Sequence, residues 1–446
     1  MPEPPVRDAQ AILQSLQAGV VPRAGLHHLA VGRVPEVRQA LAELEVLRDG
    51  GGVFKVVVGD YGSGKTFLLA LIRQVALARG YLVADADLGP DLRLRGDDRG
   101  LATYRQLMAR VSSEGRPDGG ALGTVLDRWA ERVRSAAAAR LPPSEDPAAP
   151  PPGASRSPDL AMAVDRELRS RLRGFQDQPG GFAWAAVLRR YYEAALAGDE
   201  AGLASSLRWL RGEFRSAAEA RAVLGSGAPP PITDATWYEH LRLLALLAAD
   251  AGYAGLLVML DEGVNLLRIG APESRAANYE VVLRLCNDTL QGRSAFLGFY
   301  LAGPPEMVTD VRRGFHSYPA LRSRLQANPY ADARHRDLTQ PVLSLAPLTA
   351  DELLALLYKV RSLHAAAHGP SRLGEAETAT FLGRLLARPG AERFLTVRGT
   401  LRAFLKALSV LAQNPEMEPG AVLGQAEEDL ADSRFVSLDV DAQGPV

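Results

Sequence analysis

The chain has 446 residues, 47% of them hydrophobic, which is too much for one ordinary core, so two or three folded domains are expected. Its 51 basic and 52 acidic side chains nearly balance, which removes any global electrostatic case for nucleic acid and leaves only local patches. The single cysteine, Cys286, excludes an intramolecular disulfide and a cysteine-based zinc site, and reads as a small buried apolar residue. The first residues are proline-rich without an apolar h-region, and no apolar run nears the ~18 residues that span a bilayer. A cytoplasmic protein with no membrane contact is therefore expected. The spacing predicts an amphipathic helix over 8–18, with Ile12, Leu13 and Leu16 on one face, and a second helix over 35–48. A buried strand over 53–58 leads through a glycine-rich turn into a helix over 67–78, closed by Gly80. A strand over 81–87 follows, which makes a βαβ unit and hence a parallel sheet.

Helices are predicted over 103–112 and 122–139, and then the composition changes. The Pro/Ala/Ser-rich run 141–158 reads as an exposed connector. Residues 159–224 are helical in pattern, anchored by Trp184, Tyr191, Tyr192, Trp209 and Phe214, and a second breaker covers 225–231. A helix over 237–249 precedes a strand over 254–260, and a helix over 276–291 precedes a strand over 295–301. A short strand at 342–345 is last; helices over 350–364, 376–386 and 400–412 and an acidic tail complete the chain. The expected fold class is α/β, a P-loop three-layer parallel sheet with a helical insertion and a C-terminal helical lid. The expected segments are 1–140 (N-terminal segment and first part of the core), 141–235 (insertion), 236–346 (second part of the core) and 347–446 (lid and tail).

Two motifs carry chemistry. Gly59-Asp60-Tyr61-Gly62-Ser63-Gly64-Lys65-Thr66 fits G-x-x-x-x-G-K-[ST] between a strand and a helix. Glycines let the backbone wrap a phosphate chain, and successive N–H groups with the helix N-terminus supply partial positive charge. ATP is thus expected on Gly59 to Phe67, with Lys65 reaching the β- and γ-phosphates and Thr66 on Mg²⁺. The chain holds only 4 lysines against 47 arginines, yet one stands where this motif needs it. The second motif is the apolar strand that ends in Asp261-Glu262. Asp261 is expected to hold Mg²⁺ with Thr66, and Glu262 to polarise the attacking water.

With these motifs the chain resembles AAA+ ATPases, nearest to the branch of Cdc6/origin-recognition-like and STAND-like P-loop proteins. Val31-Gly32-Arg33 with Glu36 is similar to the segment that closes over adenine there, which implies base contacts from Gly32 and Arg33. Tyr318 to Leu325 resembles the segment presenting an arginine finger to a neighbouring subunit; Arg324 is the first candidate and Arg322 the second. Pro347-Leu348-Thr349 with Glu352 resembles the entry to the lid, and Thr396-Val397-Arg398 resembles a sensor, with Arg398 reaching the γ-phosphate. Catalytic roles thus fall to Glu262, Lys65, Arg324 and Arg398. One position departs from the pattern: Pro304 stands where a polar residue orients the attacking water, which argues for slow hydrolysis.

A closer resemblance rests on the run Gly25 to Arg33, the P-loop with its flanks, Val83-Ala84-Asp85-Ala86-Asp87-Leu88 and Gly100-Leu101-Ala102-Thr103-Tyr104. These look like the BREX-system ATP-binding protein family, the BrxD-like proteins. The resemblance implies anti-phage defence beside a helicase and other defence subunits. Two functions stay open: an oligomerising ATPase acting on assembly or DNA, and a nucleotide-gated scaffold that recruits a helicase or nuclease with little hydrolysis. A small-molecule kinase is disfavoured because Glu262 and the lid point to water as acceptor. The expected assembly is a homo-oligomer. For DNA, the candidate surface is the arginines of the helical block: Arg166, Arg169, Arg171, Arg173, Arg189, Arg190, Arg208, Arg211 and Arg215, with Trp209.

Overall fold

Five strands form one sheet: β1 (Gly52–Val58), β2 (Leu82–Asp87), β3 (Leu256–Asp261), β4 (Leu297–Gly303) and β5 (Val342–Ser344), in the order β2-β3-β4-β1-β5. β2 and β3 pair in parallel from Leu82 opposite Leu256 to Asp87 opposite Asp261, and β3 and β4 pair in parallel from Leu256 opposite Leu297. β1, β3 and β4 are buried almost end to end. Continuous apolar runs of this kind are what a sheet covered on both faces requires. The α/β parallel sheet with a helical insertion and a C-terminal helical region is the fold class expected above.

The structure is a computed structural model and describes residues 4–141, 158–331, 335–389, 396–428 and 430. The proline-rich connector, apart from Leu141 and Pro158, and the end of the acidic tail lie outside the described residues. The chain divides into two compact units. One takes Met1–Ala40, Val57–Gln74 and Ser344–Val446; the other takes Leu41–Val56 and Val75–Leu343.

In the first unit the amphipathic N-terminal helix Val6–Gln17 buries Ala9, Ile12 and Leu13. They join Leu357, Phe381, Phe404 and Leu408, which project from the helices Ala350–His368, Glu375–Ala387 and Val397–Gln413. The first of these helices starts on a capping box: Thr349 Oγ1 accepts from Glu352 N at 3.2 Å, and Glu352 Oε2 accepts from Thr349 N at 2.9 Å. The last starts on Thr396, whose hydroxyl accepts from Gly399 N at 3.1 Å.

In the second unit the described residues of the insertion form four helices, Pro158–Gln176, Gly181–Ala197, Glu200–Leu210 and Ala217–Leu224. Its five aromatic anchors are all buried. Two polar groups lie deep in this unit. Lys55, in the middle of β1, is 3% exposed and pairs with Glu43 at 2.9 Å, donates to Leu338 O at 2.7 Å and also donates to Gln340 O. Tyr300 OH donates to the other Glu43 oxygen. Further along, Trp184 Nε1 donates to His240 Nδ1 at 2.6 Å, and Trp209 and Tyr104 stand edge-on to the same imidazole.

Burial lowers the His240 pKa from its usual 6.5 to about 4, and the Trp184 bond requires a lone pair on Nδ1. His364 in the first unit is lowered to about 4 by burial first and by His368 second. A depressed imidazole pKa means the unfolded chain takes up protons that the folded chain refuses. The stabilisation is therefore complete above pH 6.5 and is lost as pH falls toward 4, by up to ~3 kcal/mol per histidine. Thermal midpoints should fall steadily across that interval, and the slope should flatten in a His240→Phe, His364→Phe double variant. An unchanged slope in that variant would assign the acid sensitivity elsewhere.

Candidate nucleotide site

The phosphate loop runs from the end of β1 into the helix Lys65–Ala78. Gly62 and Gly64 sit at φ +81° and +92°, a region open to glycine and closed to most side chains. Gly59 is needed for room, because a Cβ there would lie 2.5 Å from Ser63 Oγ. Lys65 Nζ donates to Gly59 O at 2.6 Å and Asp60 O at 2.9 Å, so its ammonium is held at the mouth of the loop. Ser63 is 7% exposed and its hydroxyl is buried without a hydrogen-bond partner. A buried hydroxyl without a partner in a glycine-shaped loop before a helix N-terminus is a fit for phosphate oxygens. Thr66 is exposed on the first turn of that helix, and Phe67 packs partly into the core of the first unit.

The strand-end carboxylates belong to the second unit. Asp261 is the last residue of β3, and its Oδ1 accepts from Glu262 N at 2.8 Å. Glu262 itself is exposed and sits at φ +56°, a left-handed conformation uncommon outside glycine. Its neighbours hold it there. Gly263 N donates to Ala302 O at 2.8 Å, and a Cβ at Gly263 would meet Met307 Sδ at 2.5 Å. Asn265 Nδ2 donates to Glu262 O at 3.1 Å and to Leu88 O at 2.8 Å. Strain kept by this many contacts is the pattern of a functional turn. Beside it, burial pushes the Asp87 carboxyl up; Arg110 pulls the other way, and repulsion from Asp261 adds to the rise. The supporting pair Gly263 and Asn265 escaped the sequence reading; the glycine directly after two acids was the available signal.

A family model described as BREX system ATP-binding protein BrxC/D matches residues 5–427. The chain belongs to that family. It is thus an ATP-binding protein of the BREX defence system. A search of curated proteins found no match. Among solved structures, the Aeropyrum pernix ORC2 protein in ADPNP–ADP complexes is similar at 14% identity and a TM-score of 0.42, over 90% of this chain and 68% of that one.

The remaining residues of this BrxC/D chain fall into place by unit. Arg33 is 5% exposed, and its Nη2 donates to Ser63 O at 2.7 Å and to Ala346 O at 2.9 Å. Its partner Glu36 is 1% exposed, at 3.7 Å. The guanidinium thus grips the phosphate loop through its backbone. Gly32 lies against the lid, where a Cβ would come within 2.6 Å of Glu352 Cδ, and Lys359 Nζ donates to Ala30 O at 2.8 Å. Arg398, the second residue of its helix, donates to Tyr61 OH at 3.1 Å.

In the second unit, Arg322 and Arg324 are exposed on the short helix Pro319–Arg324, and Arg324 Nε donates to Asn287 Oδ1 at 3.1 Å. Pro304 closes β4 and precedes the short helix Pro305–Thr309, offering no side-chain donor. Cys286 is buried, and burial raises its thiol to about 11, so it is inert. The arginines of the helical block are largely engaged within the chain: Arg169 with Asp165, Arg171 with Glu167 and Asp250, Arg189 with Asp165, Arg190 with Leu224 O, Arg208 with Glu219 and Arg211 with Glu213. Among the described residues no helix is long and apolar enough to cross a membrane.

Proposed function

We propose that this BREX protein is a slow ATPase, and that turnover times its assembly with defence partners. The carrying observation is Glu262, an acid held in a strained turn directly after a strand-end aspartate. Lys65 and the loop N–H groups bind the β- and γ-phosphates. Thr66 and Asp261 would hold Mg²⁺, which would supply charge shielding on the phosphate oxygens. Glu262 takes a proton from the attacking water, and its exposure leaves it reachable by that water. Arg398 meets the γ-phosphate from the lid. Pro304 gives no hydrogen bond to orient the water, and this favours low turnover.

The experiment is steady-state ATP turnover by the full chain, with Lys65→Ala as the background and with duplex DNA added or omitted. Slow turnover above that background supports the reading. Turnover equal to background supports the nucleotide-gated scaffold instead, which Pro304 favours. Direct DNA contact through the helical block is disfavoured for Arg169, Arg171, Arg189, Arg208 and Arg211, which already pair with intramolecular acids.

Arg324 is proposed as a finger acting in trans, supported by its exposure at a helix end. Light scattering should show larger particles with ATP and Mg²⁺ than without, and Arg324→Ala should abolish the growth while leaving ATP binding intact. A single particle size under both conditions would count against action in trans. The remaining proposed partners are a helicase and other BREX subunits.

A further inference from the structure

Tyr61 is a large aromatic that is 76% exposed on the phosphate loop, where no packing explains it. Its ring and hydroxyl both face one group. The Arg398 guanidinium lies 5.6 Å from the ring centroid, and Nη1 donates to the phenol at 3.1 Å. The backbone around them leaves little freedom. A Cβ on Gly62 would strike Thr396 Cβ at 2.8 Å, so the loop and the start of the lid helix are in close contact beside this pair. Thr396 in turn caps that helix through Gly399 N, and the Arg398 stem lies alongside Gly19, where a Cβ would sit 3.6 Å from Cδ.

We infer that Tyr61 is the positioning residue for Arg398, and that the pair sets the preference for ATP over ADP. The inference rests on the reading of Arg398 as the γ-phosphate contact. Arginine has five N–H donors, and the described residues take only one of these. The others are available to a terminal phosphate while the ring still stacks on the guanidinium. Tyr61 therefore preorganises the arginine rather than competing with the nucleotide. Without it, a long side chain must be ordered at the moment of binding, and affinity falls. ADP offers Arg398 no terminal phosphate and is indifferent to Tyr61.

The test is binding of a slowly hydrolysed ATP analogue and of ADP to the full chain and its variants, with the nucleotide-free thermal midpoint of each as a folding control. Tyr61→Ala should weaken the ATP analogue about five- to tenfold and leave ADP within about twofold. Tyr61→Phe keeps the ring and should stay within about threefold for both. Arg398→Ala should show the same selective loss, and the double variant should lose no more than either single one. Equal loss for both nucleotides in Tyr61→Ala, or a double variant whose losses add, would overturn the inference while leaving the sensor reading intact. If Arg398→Ala itself leaves the ATP-to-ADP ratio unchanged, the sensor reading fails first and the inference falls with it.

Discussion

Glu262→Gln should reduce ATP turnover about 10²–10⁴-fold and leave ATP affinity nearly unchanged. Glutamine keeps the size of the side chain and loses only its capacity to accept a proton. The turn itself should survive, because its supports are the backbone bond from Gly263 N to Ala302 O, the bond from Glu262 N to Asp261 Oδ1 and the bond from Asn265 Nδ2 to Glu262 O. On the proposed reading affinity comes from Lys65 and the loop amides, which this substitution does not touch. With a chemical step as slow as proposed, KM approximates a dissociation constant, so kcat and KM separate the two effects. Asp261→Asn is the companion variant. Its amide oxygen still accepts from Glu262 N, so the turn stays while a charge on the metal is removed. Turnover should then fall in a way that added Mg²⁺ partly restores, whereas Glu262→Gln should not respond to Mg²⁺. Turnover of Glu262→Gln within tenfold of the parent would place the base elsewhere.

Much of the core was legible because its signals are local. β1, β3 and β4 are continuous apolar runs that a two-sided sheet demands, and the lid helices carry their caps, Thr349 and Thr396, in the sequence. The phosphate loop is recognisable from spacing alone, since its glycines answer to backbone angles. What escaped depends on partners distant in the chain. Lys55 lies inside the predicted buried strand, but nothing local names the partners that make it fit there, Glu43, Leu338 O and Gln340 O. Several arginines of the insertion, Arg171, Arg189 and Arg208 among them, are paired with acids that the sequence does not point to, because ion pairs leave no period in it. The left-handed turn at Glu262 is enforced by Ala302 and Met307 from another strand and helix. The N-terminal helix shows its apolar face plainly, but nothing in its spacing says that the face belongs among the lid helices.

Arg33→Ala should lower the stability of the first unit by about 3–5 kcal/mol, a fall in thermal midpoint of ~10 °C. The reason is the grip of this guanidinium on the protein's own backbone. Removing it strips donors from Ser63 O and Ala346 O and takes the cation from a Glu36 carboxylate that is 1% exposed. Breaking a buried pair from one side leaves a charge that water does not reach, and this costs more than the pair contributes when intact. Arg33→Lys separates charge from geometry. A lysine supplies the cation, but its single ammonium lacks the planar fork that sets Nη2 on the two carbonyls and Nη1 toward Glu36, so it should recover only part of the loss. A residue that read the adenine base would behave differently. Its removal would change the ratio of ATP to GTP affinity and leave the nucleotide-free midpoint alone. From its bonds to Ser63 O and Ala346 O the expected result for Arg33→Ala is that the nucleotide-free midpoint drops, overall ATP affinity falls with the loosened loop, and base preference holds. A stable Arg33→Ala protein with altered base preference would return this residue to the nucleotide.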